Sequence, residues 1–530
     1  MNRFLRLLPR RGAFRAALGL GLGLALWLPG GPLRAQTQLE ILNADVLSFG
    51  EWNGKKLRRL VGKVQMKQDS LLMYCDSAWH FPDDNVLEAF SNVRAWMGDS
   101  VRMRADFVRY EGDPRIAVAT GRIVLNHKTL ELRTPKLYYF RNPAIGRYTQ
   151  TGELRDTSFR LFSRTGTYFV RPRTAAFRGK VRMAHVDFDL LADTLRFHTQ
   201  TSRADFDDTT FITDRKCRQV RTVNGYFFLN QKRGHLWNFV RYRDSTYELT
   251  ADTVRYDDSL GRGDAHCNVV LKRDTTLELH GEVGFLNRTQ DYSWMTDHAW
   301  MVRYEKSDTL LLFGDTLYSQ QFARQVDSLT GDTVPKQTRF RAFPHARFAA
   351  RAMAGRADSV VYYLEDSLLR MFRDPILFNP TYQVTGDTIT LWQRSKGIDS
   401  IQVGPGAFAI AVADSAQGYF NQSRSKMLYG KLVENKLIRL HFVGNCENLY
   451  WLEDQGKFKG MNKAFANAVT IHLRDNQPRR IVYLVKPEAT FFPLHEVDGQ
   501  TNELEGFRWR AAERPSRYLR YASPVVAPAE

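Results

Sequence analysis

At 530 residues, with 76 Lys and Arg against 57 Asp and Glu, the chain carries a formal charge of +19. Such a balance can mark nucleic-acid binding, but here the cations alternate with acids and form no dense run, so no nucleic-acid partner is expected. Four cysteines (Cys75, Cys217, Cys267, Cys446) lack metal-type spacing and are too few for a disulfide framework; they are expected to be mainly small buried residues, with any pairing left open.

Residues 1–35 read as a secretory signal. Arg3, Arg6, Arg10, Arg11 and Arg15 precede an apolar run over 16–28, and Leu33-Arg34-Ala35 offers a cleavage site. Arg10-Arg11 hints at twin-arginine export, but the residues after it fit ordinary secretion better. No cysteine follows the run, so a lipid anchor has no attachment point. Gly19, Gly21 and Gly23 mimic a phosphate loop but lie inside that apolar run. Loss of the six arginines in this acid-free segment takes the formal charge from +19 to +13. No later run reaches the ~18 apolar residues of a spanning helix, so the mature chain is expected in the periplasm, soluble or peripheral to the outer membrane.

A short leader strand over 36–50 precedes a repeat array over 40–320. In Asp99–Tyr110, Val101, Met103 and Ala105 alternate with Arg102, Arg104 and Asp106, the period of a strand with one apolar face. After Asp106 the parity flips and Val108 and Tyr110 carry the apolar set, which demands a bulge or corner. The corner recurs at Asp76, Asp106, Pro135, Arg164, Asp193, Asp252, Glu282 and Asp315, spaced 30, 29, 29, 29, 59, 30 and 33. The gap of 59 reads as two units with a degenerate copy near Val220. A second landmark, a small or polar residue just before an apolar one, runs in phase at Gly62/Val64, Asn92/Val93, Gly121/Ile123, Gly179/Val181, Asn268/Val269 and Ala299/Trp300. Two markers at one period predict a stacked β-repeat array of roughly nine units.

The polar segment 320–337 reads as a loop or insertion, and Arg356-Ala357-Asp358 as another corner. A second array, 338–500, has a longer period: Val403-Gly404, Val443-Gly444 and Val485-Lys486 lie 40 and 42 residues apart. Hairpin signals stand at Glu434-Asn435-Lys436 and Asp475-Asn476-Gln477-Pro478. The tail, 501–530, is expected to be irregular and poorly ordered. Nothing beyond the signal predicts a long helix.

Catalytic signals are weak. Ser423 and Lys426 match an acylating S-x-x-K, but that motif needs a helical turn and here precedes a strand. The twelve histidines form no H-x-x-x-H or H-E-x-x-H. Asp207/Asp208 and Asp257/Asp258 fit solvated turns, and the recurring corner acids fit backbone capping better than catalysis. No enzyme activity, metal or cofactor is therefore expected.

What remains is the apolar lining, with Met73, Val101, Met103, Val108, Leu132, Leu190, Leu195, Leu249, Val254 and Leu279 as candidate groove residues. Most inward positions serve as core, each worth roughly 1.5–3 kcal/mol when buried. The functional reading is a trough left partly open along the stack, for which soft residues such as Met73 and Met103 are suited. Met103, Leu132, Leu190 and Leu249 hold one place relative to their corners and should line one side of it.

The signal, the ~30-residue units and the A-D-T-led corners resemble the organic-solvent-tolerance (OstA/LptA-like) family, the periplasmic part of lipopolysaccharide transport. Gly386-Asp387-Thr388-Ile389, Ile398-Asp399-Ser400, Lys486-Pro487-Glu488-Ala489-Thr490 and Gly506-Phe507-Arg508-Trp509-Arg510 resemble the long OstA-like proteins of the Bacteroidetes. The likeness spans about 40–515. It implies an all-β, elongated open β-jellyroll that carries lipid acyl chains inside and contributes to outer-membrane assembly. It also implies strand-edge docking with lipopolysaccharide-transport proteins of the inner and outer membranes, and head-to-tail self-association. Two rivals fit less well. An outer-membrane barrel needs ~9–11 unbroken alternating residues per strand, whereas these flip sooner. A β-solenoid polysaccharide-active enzyme needs acids clustered at one level of the stack.

Overall fold

The computed structural model describes residues 39–515, apart from 69, 99–100, 274, 305–308, 323–336, 352, 395–396, 475–476 and 500. The signal segment, the first residues of the leader and of the 99–110 unit, most of the 320–337 segment, the start of the 475–478 hairpin and the tail from 516 lie outside the described residues. The described residues hold 42 antiparallel strands and two single-turn 3-10 helices, Leu494–Glu496 and Ala511–Glu513. Among them no helix is long and apolar enough to cross a membrane. The fold is an all-β jellyroll.

Its repeating event is a corner in the middle of each strand. Val101–Glu111 pairs with Ile116–His127 in two stretches, and the register shifts between Arg104 and Phe107. The same break separates the pairings of Lys55–Gln68 with Leu71–Phe81, Thr174–His185 with Phe188–His198, and Tyr247–Asp257 with Arg262–Arg273. On one strand of such pairs two successive residues turn left-handed: Gly62-Lys63, Ser91-Asn92, Gly179-Lys180, Asn238-Phe239, Cys267-Asn268, Asp297-His298. These are the second sequence landmark, the extra residues of a bulge.

The acid of the first landmark stands opposite and satisfies the donors that the bulge frees. The Arg122 backbone N–H donates to Asp106 Oδ2 at 3.0 Å, that of Lys180 to Asp193 at 3.3 Å and that of Asn268 to Glu282 at 3.1 Å. The amides of Asn92 and Asn268 donate to Asp76 and Asp252 at 2.6 and 2.8 Å. The degenerate copy lies at Val223, between Gln219–Thr222 and Asn224–Phe228, and divides the 59-residue gap into 30 and 29. There Asn224 Oδ1 takes the acid's part, accepting from the Asn238 amide at 2.7 Å, while the Thr222 hydroxyl donates to Asn224 O and Trp237 O.

Each corner folds its strand into two legs, and the parity flip turns both apolar sets inward. The leg ends form two rims. Rim one carries the turns at 82–85, 112–115, 229–232, 258–261 and 288–291; rim two carries those at 186–187, 215–217 and 244–246. Successive rim-one turns are stitched together, Asp258 N–H to Lys232 O at 3.0 Å and Arg288 N–H to Gly261 O at 2.8 Å. The ladder continues past the 323–336 segment, with Thr316–Phe322 on Gln337–Phe343 and Thr309–Phe313 on Ala346–Ala349, and runs to Glu488–Pro493. The 40- and 42-residue spacing belongs to the same corner, again with positive φ at Gly444-Asn445 and Val485-Lys486, in a stretch of longer strands such as Lys436–Asp454.

Two expectations are corrected. Cys75 and Cys446 are buried, but Cys217 lies exposed in a rim-two turn and Cys267 exposed in a corner bulge, because both occupy left-handed positions outside the core; all four thiols are free. The tail is irregular but, over 501–515, firmly docked. Leu504, Phe507 and Trp509 pack against Phe408, Ile410 and Leu449 on the outer face of the sheet. Two buried glutamines there clasp the tail backbone as a neighbouring strand would. Gln383 donates to Arg508 O at 2.6 Å and accepts from Arg510 N–H at 2.8 Å; Gln422 donates to Asn502 O and accepts from Leu504 N–H, both at 2.8 Å. Arg510 adds a bidentate contact to Asp374 at 2.8 and 3.0 Å and an ion pair with Glu513.

Gly121 has φ +97°, and a Cβ there would lie 2.4 Å from Asp106 Oδ2. Gly121→Ala should therefore cost about 1–2 kcal/mol or more, read from the urea midpoint. Because the clash is with Asp106 itself, the double variant with Asp106→Ala should lose less than the two singles together.

The Arg510 guanidinium holds both Asp374 and Glu513 below their ordinary carboxyl values. A depressed folded-state value means stability that is present above the unfolded carboxyl range and lost as pH falls through the lower folded values. The tail should thus release below about pH 4, seen as pepsin cleavage within 501–515 while the sheet stays intact. Arg510→Gln should shift that release to higher pH.

Candidate functional site: the lined interior

Between the legs the apolar positions align into rows. Strand pairings carry one row without a break from Met73 through Met103, Leu132, Leu190 and Leu249 to Leu279. The alignment holds because successive corners lie 29 or 30 residues apart, so equal sequence offsets become adjacent rungs. Far along the stack the row turns polar at Ser423 and Asn448, which hydrogen-bond each other at 2.8 Å. Val108, Leu195 and Val254 lie two residues past their corners, on the other leg.

Of the ten candidate residues, Met73, Val108, Leu190, Leu195, Val254 and Leu279 are buried in one continuous core, and Met103, Leu132 and Leu249 are partly buried against it. Val101 is half-buried at the end of its strand, paired with Met97 and His127. Only three, Leu249, Val254 and Leu279, line the large cavity of about 660 Å³ between the legs. The other seven do not line it.

The reason is a third row, nearer rim one, that the sequence reading missed. Here large and small residues alternate from strand to strand: Tyr139 with Gly146, Phe197 with Ala204, Phe227 with Gly234, Tyr256 with Gly263. At Gly234 the Tyr256 ring takes the space a side chain would need, a Cβ there lying 2.9 Å from Tyr256 Cε1. The large members Tyr110, Tyr139, Tyr168, Phe197, Phe227 and Tyr256 recur every 29 or 30 residues, which was a readable signal. After Tyr256 the pattern lapses into Gly263, Leu286, Ser293 and Ser319. The neighbouring row is small at the same level, with Val254, Ala265 and Gly284 in register. With no ring on the one row and small residues at the same level on the other, the cavity remains.

Above the interior the two rims meet. Upstream the seam is apolar, with Phe159 on Phe197 at 5.3 Å and Phe188 on Phe227 at 5.4 Å between ring centroids. Over the cavity it becomes polar. Lys232 of rim one reaches Asp187 of rim two at 3.3 Å, and Asp258 of rim one reaches Arg218 at 3.6 Å. Arg288 of rim one donates to the phenol oxygens of Tyr242 and Tyr247 at 3.0 and 2.9 Å and lies 3.9 Å from Asp258. Further on, Arg273 donates to Thr338, and Arg303 to Tyr362 and Leu364 O. Burial, reinforced by Tyr247, pushes the Tyr242 phenol above its ordinary value, so it stays protonated. Burial alone would raise Asp214, yet Arg218 holds it below its ordinary value.

The arrangement offers an apolar chamber under a charged lip. It can accept hydrocarbon, and no group of metal-ligating side chains occurs among the described residues. Leu190→Ala, which empties a filled position, should cost about 2–5 kcal/mol. Leu249→Ala enlarges existing space and should cost clearly less; guanidinium unfolding of the two variants checks the difference.

The OstA-like protein family matches residues 36–193. No curated protein matches the chain. Among solved structures it is similar to LptH from Pseudomonas aeruginosa, described as the LptA homologous periplasmic component of the conserved lipopolysaccharide transport device. The two are 12% identical, the match covers 26% of this chain and 96% of that one, and the TM-score is 0.19.

Proposed function

We propose that this chain, OstA-like over residues 36–193, is a periplasmic lipopolysaccharide-binding and transport protein without enzymatic activity, peripheral to the outer membrane and contributing to its assembly. The observation that carries the reading is the chamber lined by Leu249, Val254 and Leu279 inside a continuous apolar core. An acyl chain gains roughly 0.8 kcal/mol for each methylene buried there, while its polar head stays at the charged lip. Binding by area rather than by directed bonds lets a lipid slide from rung to rung, and a partner must supply the energy for net movement.

The two ends of the stack suit partner docking. Val46–Trp52 pairs on one side only among the described residues and exposes Val46, Phe49 and Trp52; Glu488–Pro493 does the same at the other end and exposes Phe491. Unpaired, apolar strand edges recruit further strands. The occupants are other lipopolysaccharide-transport proteins, or a second copy joined head to tail.

A photo-reactive residue at Leu249 or Leu279 should capture lipopolysaccharide in living cells, and one at the outward Arg102 should not. Gly284→Phe, which fills the chamber, should abolish capture at Leu249 while leaving the protein folded by circular dichroism. Equal capture from both faces, or none from either, would leave the interior as core alone.

A further inference from the structure

The stretch of seam over the chamber differs from the rest in kind. As far as the N-terminal edge of the chamber, which Phe188 and Phe227 line, the rims meet through aromatic rings. Over the chamber they also meet through Lys232–Asp187, Arg218–Asp258 and Arg288 with its two tyrosines. The two ion pairs are loose, at 3.3 and 3.6 Å, and their side chains remain 26–52% exposed, the regime in which a pair contributes little and exchanges with solvent ions. Lys216 and Arg262 stand at the same lip with no acid in ion-pair range among the described residues, so the lip has cations to spare. Phe227 and Tyr256 stack at 5.8 Å along the row nearer rim one and line the N-terminal end of the chamber.

We propose that this seam is a side door through which an acylated ligand reaches the chamber, and that the ligand's own anionic groups open it. This rests on the lipid-binding reading above. Phosphate-bearing heads bind arginine through paired, charge-assisted hydrogen bonds that a single carboxylate at 3.6–3.9 Å does not make. A head that takes Arg218 and Arg288 away from Asp258, and Lys232 away from Asp187, removes the charged ties between rim one and rim two and leaves the Phe188–Phe227 contact to part, while Arg218 stays anchored to Asp214 on its own rim. The chains then swing in between the rims, and the head remains on the cations outside. Arg218, Lys232 and Arg288 are therefore at once the latch and the head-group site.

The native thiol of Cys217, exposed beside Arg218 on rim two, allows a direct test. Ser259→Cys places a partner beside Asp258 on rim one, and Cys267→Ser removes the other exposed thiol. A short, reducible bis-maleimide then ties the rims in the full-length protein. Loading is followed with fluorescent lipopolysaccharide and with the same material stripped of phosphate. The tied protein should lose loading over the time in which untied protein saturates, and reduction should restore it. Untied protein should load the phosphorylated form faster, and Asp258→Asn, with the latch already weakened, should load both forms alike. Unchanged loading by the tied protein would overturn the door and leave the lipid reading standing. Equal rates for the two lipids in untied wild-type protein would overturn opening by the head group. Absence of loading by untied protein even at equilibrium would overturn the lipid reading and the door with it.

Discussion

A strand whose apolar side chains change faces halfway must gain a residue at the change, and that residue has to be held. Everything else in this protein follows from how it is held. Left-handed pairs such as Gly179-Lys180 supply the extra length, and the acid on the adjoining strand takes up the backbone donor that the bulge releases. With the corner fixed, the two halves of every strand fold toward each other and their apolar faces close on one interior. The charged faces, Arg102 and Arg104 among them, are left outside. A straight strand with the same sequence would expose half of its apolar residues, so the corner is what makes this pattern compatible with a core.

Given the corner, packing is decided row by row. Adjacent strands lie only ~4.8 Å apart, too close for a large ring on every rung, and the alternation of Tyr, Phe and Leu with Gly and Ala answers that constraint. Gly234 shows how tight the packing between rungs is: a Cβ there would meet Tyr256 Cε1 at 2.9 Å. The chamber is a local lapse of the alternation rather than a separate domain feature, which is why it shares its walls with the core. The same economy appears outside, where Gln383 and Gln422 let an irregular tail satisfy the sheet as though it were one more strand and cover the apolar patch around Ile410 and Leu449.

The chamber and its seam belong together chemically. A closed apolar space is useless to an amphiphile without an approach that keeps the head in water, and a permanently open one would expose Leu249 and its neighbours. Loose, solvent-exposed ion pairs across the lip fit the proposed door, since they cost little to exchange. The end strands Val46–Trp52 and Glu488–Pro493 each pair on one side only among the described residues.

The period-2 pattern, the parity flip and the 29- or 30-residue spacing were enough to derive the strands, the corner and the alignment of Met103, Leu132, Leu190 and Leu249, because ladder neighbours sit one unit apart in sequence and equal offsets translate directly into shared rows. The corner at Val223 was legible only as a gap, since an apolar residue stands there and the amide oxygen of Asn224, one position on, accepts from the bulge instead. What placed the chamber was the coincidence of a ring-free stretch on one row with small residues on its neighbour, rows that meet only after folding. The contacts across the seam, such as Arg303 with Tyr362, and the tail's hold on Gln383, 125 residues away from Arg508, join positions with no fixed offset. Their partners are set by the twist of the sheet and the distance between its legs, and those quantities exist only once the chain has closed on itself.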